Sequence, residues 1–385
     1  MMKKFLVFEG PNKYFEQYLQ RLMDDNEREF SLKDLVKVYD DKKGLKRLLS
    51  TSSDENKMIF VARAEEFYSV KDHFIENLLR ILLVFQEQGL FEYIIFQNPP
   101  KFLLDKLRQL EKEDDYVVVE FEQFNRELIT KDKLRSFVAE FSNKIEGQDR
   151  VLDEVIGSLF SITNKKNNLP VVLMFYGPPG VGKTETAKLL NTTLGNEELF
   201  RQQLSMYKTN EFFNYIFGGE EHSLSFSKDV IRYEGNVLLF DEFNQCPPAV
   251  YSAFFQMFDE GEFEDNRYRV NLSNTVIICT ANFNSRSEIY NAIGAALYSR
   301  FTAFIEFNAL SIDAKKNLII KRYDEVLSEL DPEDQAYIES LHILAELLEH
   351  AKTFSNTRNI NKDVELYIMK PLAHRFIEEV KRVKA

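Results

Sequence analysis

One glycine-rich segment has residue types and spacing that suit phosphate binding: Gly177-Pro-Pro-Gly-Val-Gly-Lys183-Thr184. Its glycines allow successive backbone N–H groups to turn inward around a β-phosphate. Lys183 is placed to reach the β- and γ-phosphates, and the Thr184 hydroxyl is a ligand for Mg²⁺. An apolar run precedes the segment and a helical pattern follows it, so a helix N-terminus adds partial positive charge. The residues predicted to bind ATP here are Gly177, Pro178, Pro179, Gly180, Val181, Gly182, Lys183, Thr184 and Glu185.

A pair of acids follows a second apolar run about sixty residues further on. Val237-Leu-Leu-Phe240 leads directly into Asp241 and Glu242. Phosphoryl transfer depends on charge neutralisation and a positioned nucleophile. We therefore expect Asp241 to hold Mg²⁺ through water and Glu242 to polarise the attacking water. Two acids that merely end a strand in solvent are the alternative, but next to a phosphate loop they predict an Mg²⁺-dependent ATPase.

The composition narrows the other classes of function. With 385 residues, 44% of them apolar and 29% charged, the chain has room for two or three domains with their own cores. A net charge of −13 argues against a general nucleic-acid coat, although a local basic patch is compatible with it. The two cysteines, Cys246 and Cys279, lack CxxC spacing and nearby histidine clusters. A disulfide framework and a zinc site are therefore poorly supported.

Two apolar stretches bear on the cellular location. The run after Met1 is too short for a secretory signal before its first acid, Glu9. The stretch at 78–85 is interrupted by Arg80 and is far shorter than a bilayer span. We therefore expect a cytoplasmic protein that does not enter a membrane.

Strand and helix patterns alternate along most of the chain. Strands separated by helices predict an α/β fold with a mostly parallel sheet that is covered on both faces. Residues 67–88 have the apolar spacing of a buried amphipathic helix, and about 125–144 read as a charged helical connection. From 311 to the end the pattern is helical. The predicted strands lie at 5–8, 58–61, 93–96, 117–121, 170–175, 237–240, 275–279 and 303–307.

Several separated motifs between about residues 144 and 373, in the expected order, resemble the AAA+ superfamily. Within it they resemble the ATPase module of the Clp protein unfoldases. Ile145-Glu-Gly-Gln148 is similar to the segment that flanks adenine in that family. Residues 258–282 are similar to its hairpin and sensor 1 strand, so by resemblance Asn282 would hold the attacking water or the γ-phosphate. A turn residue at a strand end is the alternative for Asn282.

Two arginines gain roles from the same resemblance. Leu297-Tyr-Ser-Arg300-Phe301 resembles the arginine finger, which would place Arg300 at the nucleotide of a neighbouring subunit. Asn356-Thr-Arg358-Asn359 resembles the sensor 2 region, where Arg358 would contact the γ-phosphate in its own subunit. A surface salt bridge is the alternative for Arg300, and a solvated helix cap is the alternative for Arg358.

The resemblance implies an AAA+ P-loop core with a mostly parallel sheet, a C-terminal helical lid and a separate N-terminal α/β domain. The corresponding ranges are 131–310, 311–385 and 1–130. It also implies a homo-oligomer, a ring or spiral of about six subunits. Two departures from the family pattern stand out. Its aromatic-glycine pore loop has no clear counterpart, since Tyr215-Ile-Phe217-Gly218-Gly219 suits either a substrate grip or a core aromatic beside a turn. The chain also ends soon after Pro371-Leu-Ala, without the strands that usually close the lid.

The first 130 residues have a glycine turn after their first strand but no phosphate-binding signature. Lys13 lacks both the second glycine and the hydroxyl residue that would place Mg²⁺, so no ATP is expected near Gly10. The order of strands and the turn at 97–100 resemble the nucleotide-free AAA+ domain of the bacterial clamp-loader delta subunit. A generic α/β docking domain is the alternative.

Three functions are compatible with the sequence. The leading one is an oligomeric ATPase that remodels or unfolds a partner protein recruited by residues 1–130. The alternative is a clamp-loader-like or helicase-loader-like ATPase acting on DNA machinery, which the acidic net charge does not favour. The third is a slowly hydrolysing nucleotide switch or scaffold. Glu242 and Asn282 argue against the third, because a pure binding module has no need of a group that polarises water.

Overall fold

The computed structural model describes residues 3–23, 27–40, 58–164, 169–206, 209–219 and 224–384. Their strands are β1 Lys3–Glu9, β2 Arg28–Ser31, β3 Met58–Ala62, β4 Phe91–Gln97, β5 Val117–Gln123, β6 Val171–Tyr176, β7 Phe200–Gln203, β8 Val237–Asp241, β9 Glu262–Glu264, β10 Arg269–Asn271, β11 Val276–Ala281 and β12 Ala303–Glu306. Their helices are α1 Asn12–Leu22, α2 Leu32–Asp40, α3 Ala64–Phe67, α4 Asp72–Glu87, α5 Lys101–Glu113, α6 Lys131–Lys144, α7 Asp149–Asn164, α8 Lys183–Thr193, α9 Thr209–Phe217, α10 Phe226–Arg232, α11 Tyr251–Glu260, α12 Arg286–Tyr298, α13 Ile312–Ser328, α14 Pro332–Ser340, α15 Ile343–Glu349 and α16 Thr357–Lys384.

The described residues form two compact units that are not continuous in sequence. The first unit draws on Met1–Glu127, Met206–Glu234 and Pro247–Ser273. The second draws on Leu128–Ser205, Gly235–Cys246 and Asn274–Ala385. The predicted domain ranges, 1–130, 131–310 and 311–385, stay predictions.

The first unit is built on a five-stranded sheet in the order β2-β3-β4-β1-β5. Every neighbouring pair in it is parallel. The central strands are continuous apolar runs that are buried on both faces, which is typical of a parallel sheet with helices on each side. Helix α4 buries Ile75, Leu78 and Leu82 in the same core, as its apolar spacing predicts.

The first unit also contains α9, α10, α11 and the β9–β10 hairpin, which come from later in the chain. Arg126 reaches this hairpin, and its Nη1 donates to the Asn271 carbonyl at 2.6 Å. Burial lowers the pKa of Arg126 to about 10. The Lys101 N–H donates to the Arg267 carbonyl at 2.7 Å. Hydrogen bonds of Arg126 and Lys101 therefore hold the N-terminal segment to these later segments.

The second unit has its own five-stranded sheet, in the order β12-β6-β11-β8-β7, again with every pair parallel. Strands β6, β8 and β11 are buried along their whole length. Because these strands are parallel, their carboxyl ends meet at one edge of the sheet. The loops that follow Tyr176, Asp241 and Ala281 therefore lie at that edge.

Helices α13 to α16 form the C-terminal part of the second unit around an apolar cluster of their own. Ile319, Val326, Leu347 and Val364 are buried in that cluster. The parallel α/β sheets and the C-terminal helices confirm the predicted fold class. Within the described parts of the chain, no helix is long and apolar enough to cross a bilayer.

The two sheets have the same strand order. When the strands of each sheet are numbered along the chain, β5-β1-β4-β3-β2 and β12-β6-β11-β8-β7 both read 5-1-4-3-2. The second strand of each sheet, β2 and β7, was not among the predicted strands. Both are four residues long and only partly buried, so neither carries a strong apolar pattern.

Candidate active site

The glycine-rich loop connects β6 to α8 and is shaped by positions that only glycine fits. Gly177 has φ of +134°, and a Cβ on it would lie 2.1 Å from the carbonyl oxygen of Phe307. Gly182 has φ of +105° and precedes the first residue of α8, Lys183. The loop therefore turns its backbone into the N-terminus of a helix, where N–H groups and the helix dipole favour an anion.

The Lys183 side chain lies over this loop. It is only 7% exposed. Its Nζ donates to the carbonyls of Gly177 at 2.6 Å and Pro178 at 2.7 Å, and to Asn282 Oδ1 at 3.1 Å. Burial lowers the pKa of Lys183 to about 8, and the negative charge of Asp241 partly opposes that shift. The ammonium group is thus held by three oxygens at the place where phosphate oxygens would meet it.

The two acids at the end of β8 are fixed by one hydroxyl group. Thr280 donates its hydroxyl to Asp241 Oδ1 and accepts the Glu242 N–H at 3.1 Å. Glu242 has φ of +59°, a left-handed conformation that is uncommon for a residue with a side chain. The strand thereby ends with Asp241 buried and with Glu242 turned in a different direction.

Strand β7 supplies two side chains that contact these acids. Arg201 donates Nε to Asp241 Oδ2 at 3.1 Å and also donates Nη2 to the same oxygen. Gln203 donates Nε2 to Glu242 Oε2 at 3.4 Å. Residues two apart on a strand face the same side, which explains how one short strand meets both acids. Arg201 and Gln203 were not among the predicted site residues. The signal for them was the need for a further parallel strand in the stretch of chain between α8 and β8.

Comparisons with known proteins agree with this arrangement. The family model described as the AAA domain (Cdc48 subfamily) matches residues 169–333. The chaperone protein ClpB of Malacoplasma penetrans is 29% identical over 220 residues, which cover 51% of this chain and 31% of ClpB. The chain therefore contains an AAA+ module that resembles the ATPase module of the Clp proteins.

Other relatives of this AAA+ module match about half of the chain at similar identity. The ATP-binding subunit ClpL of the ATP-dependent Clp protease of Staphylococcus aureus is 29% identical over 229 residues, 52% of this chain and 32% of ClpL. ClpB of Mycoplasma genitalium is 31% identical over 212 residues, 49% of this chain and 30% of that protein. The chain therefore spans about a third of the length of these curated relatives.

A solved structure resembles nearly the whole chain. It is a closed-state cryo-EM reconstruction of Hsp104 with ATPγS and FITC-casein. The TM-score is 0.53 at 15% identity, and the match covers 98% of this chain and 89% of the other. At this identity the likeness shows the fold alone.

Within the AAA+ module, Asn282 lies where the resemblance expects sensor 1. It directly follows β11, is exposed, and accepts a hydrogen bond from Lys183 at 3.1 Å. The amide is therefore next to the group expected to bind the γ-phosphate. Its role towards water or phosphate stays a prediction.

Arg300 lies just beyond the end of α12. The residue is half-buried, and its Nη1 donates to the Ala296 carbonyl at 2.5 Å in the preceding helix. This contact is within the same chain, so the expected contact with a neighbouring subunit's nucleotide stays a prediction.

The start of α16 contacts the phosphate loop. The Thr357 N–H donates to the Gly180 carbonyl at 3.0 Å. Gly180 has φ of +72°, and a Cβ there would lie 2.8 Å from Asn356 Cγ. Arg358, the next residue, is exposed. The helical lid thus reaches the loop at the position next to Arg358, whose contact with the γ-phosphate stays a prediction.

Gln148 braces the phosphate loop. Its side chain is 2% exposed. Its Nε2 donates to the carbonyls of Val181 at 3.3 Å and Asn308 at 2.9 Å, and its Oε1 accepts the Asn308 N–H at 3.2 Å. The side chain therefore ties the loop to the chain that follows β12, and its polar atoms are used by protein groups.

The remaining predicted binding residues flank the loop. Ile145 is buried, and a Cβ on Gly182 would lie 3.5 Å from its Cγ2. Pro178 and Thr184 are half-buried, and Pro179 is exposed. Glu185 is exposed and accepts a hydrogen bond from Lys188 at 2.7 Å.

Tyr215, the aromatic residue considered as a substrate grip, belongs to the first unit. It is buried, its hydroxyl donates to Asp229 Oδ2 at 2.8 Å, and its ring stacks with that of Phe212. Of the two alternatives for this aromatic, the core position fits these contacts. Phe213, by contrast, is 44% exposed and packs on Phe217.

Proposed function

We propose that this chain binds ATP with Mg²⁺ at the edge of the second sheet and hydrolyses it. The observation that carries the proposal is that the phosphate loop, the buried Lys183 and the acids at the end of β8 meet at one sheet edge, with Asn282 bonded to the lysine. The same residue types at a parallel sheet edge are what phosphoryl transfer needs. Oxygen ligands suit Mg²⁺, and the Thr184 hydroxyl and the Asp241 carboxylate would hold it.

The roles of the side chains follow from their positions. Lys183 would exchange its loop carbonyls for phosphate oxygens and so bind the β- and γ-phosphates. Glu242 would accept a hydrogen bond from the attacking water, because its neighbour Asp241 is already committed to cation binding. Asn282 would orient that water or the γ-phosphate. Mg²⁺, when bound, would neutralise charge on the phosphate oxygens.

We further propose that the protein assembles into a ring or spiral and remodels a partner protein. The relatives include ClpB, which is named a chaperone, and ClpL, named a subunit of a protease. Arg300 would complete the site of a neighbouring subunit, since a cation supplied from outside stabilises charge in the transition state. Residues 1–130 would recruit the partner.

The route of the chain supports a mechanical role for the N-terminal region. After Glu242 the chain leaves the second unit at Cys246 and enters the first at Pro247. The hairpin further along is held to residues 3–127 by Arg126 and Lys101. The catalytic acids are therefore joined through the backbone to segments that pack on residues of the proposed partner-recruiting region.

A Glu242→Gln variant tests the proposal. It should keep ATP affinity while turnover falls by about a hundredfold or more, because the water loses the group that polarises it. Light scattering in ATP should show a larger, longer-lived assembly than the wild type forms. Arg300→Ala should reduce turnover without preventing ATP binding. A wild-type chain that hydrolyses ATP at full rate as a monomer, with Arg300→Ala unaffected, would contradict the assembly model.

The matching strand order of the two sheets also favours the second candidate, a clamp-loader-like or helicase-loader-like ATPase. A nucleotide-free sheet of the same order as the ATPase sheet is what the delta-subunit resemblance implies for residues 1–130. DNA should then stimulate turnover, and the stimulation should fall steeply with salt. Turnover that is indifferent to DNA at low salt would remove this candidate.

A further inference from the structure

Arg201 and Mg²⁺ would use the same atom of the site. Asp241 Oδ2 accepts two N–H groups of the Arg201 guanidinium, one of them at 3.1 Å. We propose that Arg201 is a positioning residue that competes with Mg²⁺ for Asp241 and sets how strongly nucleotide binding depends on the metal. The inference rests on the proposed ATPase function.

The two oxygens of Asp241 differ in how fully they are used. A carboxylate oxygen has about two lone-pair directions, and the Nε and Nη2 groups of Arg201 use both on Oδ2. The other oxygen, Oδ1, accepts the Thr280 hydroxyl and keeps one direction for a metal or a metal-bound water. A cation at that position would meet the positive charge of the guanidinium on the same carboxylate. Release of Arg201 frees Oδ2 and removes that repulsion.

Exposure makes Arg201 the movable partner. Its side chain is 41% exposed, whereas that of Asp241 is 10% exposed. The guanidinium already borders solvent, so it is the partner that can turn into water and be hydrated there. The buried carboxylate, by contrast, is costly to leave without a cation. Asp241 should therefore keep Arg201 until another cation replaces it.

This exchange has two consequences of opposite sign. Without Mg²⁺, Arg201 neutralises a carboxylate that would otherwise repel the polyphosphate, so it should strengthen nucleotide binding. With Mg²⁺, the same contact opposes the metal, so it should raise the Mg²⁺ concentration needed for half-saturation. Removal of an arginine that only stabilises the fold would instead raise both the nucleotide Kd measured without Mg²⁺ and the half-saturating Mg²⁺ concentration.

The test compares Arg201→Ala with the wild type in full-length protein, using a fluorescent ATP analogue. Two constants are measured: the nucleotide Kd in EDTA, and the Mg²⁺ concentration for half-maximal binding at fixed nucleotide. We expect the Kd in EDTA to rise by about tenfold and the half-saturating Mg²⁺ concentration to fall by roughly threefold or more. Both constants of Arg201→Lys should lie between those of the wild type and Arg201→Ala, because an ammonium group cannot make the bidentate contact of a guanidinium.

Arg269→Ala is the matched control. Arg269 donates Nε and Nη2 to one oxygen of Glu262 in the first unit, so its removal breaks the same type of contact and makes the same change in net charge outside the second sheet. Both constants should then stay at their wild-type values. Thermal unfolding of each variant separates a loss of fold from a loss of binding.

Each outcome decides the point. If Arg201→Ala is folded, binds nucleotide more weakly in EDTA and needs less Mg²⁺ for half-maximal binding, competition between Arg201 and Mg²⁺ is supported. If both constants worsen together, or neither moves while the wild type binds nucleotide, this inference is overturned and the proposed function stands. If the wild-type chain binds no nucleotide with or without Mg²⁺, the proposed function itself fails.

Discussion

The two five-stranded sheets share one architecture but differ at the carboxyl edge of their strands. Both have the strand order 5-1-4-3-2, and both place a closely packed glycine after the first strand. A Cβ on Gly10 would lie 2.4 Å from Phe124 Cβ, and one on Gly177 would lie 2.1 Å from the Phe307 carbonyl oxygen. In each case the glycine passes close to the residue directly after the fifth strand.

The backbone connection at this point is also the same. The Phe124 N–H donates to the Glu9 carbonyl at 2.8 Å, and the Phe307 N–H donates to the Tyr176 carbonyl at 2.8 Å. The end of the fifth strand is thus tied to the end of the first strand in both sheets. The difference between the sheets must therefore come from the loops and side chains beyond the strand ends.

The loop after the first strand is the first difference. In the first unit α1 begins at Asn12, so only Gly10 and Pro11 stand between strand and helix. Asn98 closes this turn, because its Oδ1 accepts the Gly10 N–H at 2.8 Å and its Nδ2 donates to the Gly10 carbonyl at 2.7 Å. In this short turn the Gly10 N–H is already bonded to Asn98, so it is not available to a phosphate.

The end of the third strand is the second difference. In the second unit it carries Asp241 and Glu242. In the first unit the residue after β3 is Arg63, which forms ion pairs with Glu16 and Glu29. The strand order is therefore common to both sheets, and loop length and the residues that end each strand are what distinguish the two edges.

Replacing the glycine after the first strand should give the largest effect. Gly177→Ala places a methyl group against a backbone oxygen, so we expect nucleotide binding to be lost. Gly10→Ala meets a side chain instead and should lower the free energy of unfolding by about 2–4 kcal/mol, with the Kd of the folded fraction unchanged. Urea unfolding and equilibrium binding measure the two effects. Wild-type affinity in Gly177→Ala would break the comparison.

Replacing the asparagine after the fourth strand should lower stability in the first sheet and turnover in the second. Asn98 is buried with two bonds to Gly10, so Asn98→Ala should lower the free energy of unfolding by about 1–3 kcal/mol and leave turnover unchanged. Asn282 is exposed, so Asn282→Ala should reduce turnover by about ten- to a hundredfold with little loss of stability. Chemical unfolding and steady-state turnover check both. Loss of turnover in a folded Asn98→Ala variant would contradict the assignment.

The pH dependence of binding should give the smallest effect. Burial lowers the pKa of Lys183 to about 8, so the side chain loses its proton above pH 8. Phosphate binds the ammonium form, so binding takes up a proton there and affinity falls as pH rises. The Kd for Mg·ATP should rise by about tenfold between pH 7.5 and pH 9. Lys183→Arg, which stays charged, should lose this dependence if it binds. A wild-type Kd that is flat over this range would contradict the account.

Much of the fold could be predicted because the central strands are continuous apolar runs. The runs at 5–8, 93–96, 170–175 and 237–240 each lie inside an observed strand or overlap it. The four-residue strand β7 could not be predicted in the same way, since Arg201 and two glutamines interrupt its pattern. Its pairing with β8 depends on residues far apart in sequence, which local periodicity does not report.

The motifs of the site could be predicted from the sequence, but the contacts among its side chains could not. Glycine spacing and the two acids point to Lys183, Asp241 and Glu242 without any structure. The bracing role of Gln148 and the Thr280 hydroxyl that joins the two acids depend on three-dimensional packing. The burial of Tyr215 could not be predicted either, because the sequence near the glycines is compatible with a buried or an exposed aromatic residue.

The stoichiometry of Mg·ATP binding tests the central claim most directly. Isothermal titration of the full-length chain should give one nucleotide per chain. Lys183→Ala should remove it, because the ammonium over the loop is lost, and Lys13→Ala, at the start of α1 in the first sheet, should leave it unchanged. Two nucleotides per chain, or one that survives Lys183→Ala and is lost in Lys13→Ala, would contradict the assignment of the active edge to the second sheet.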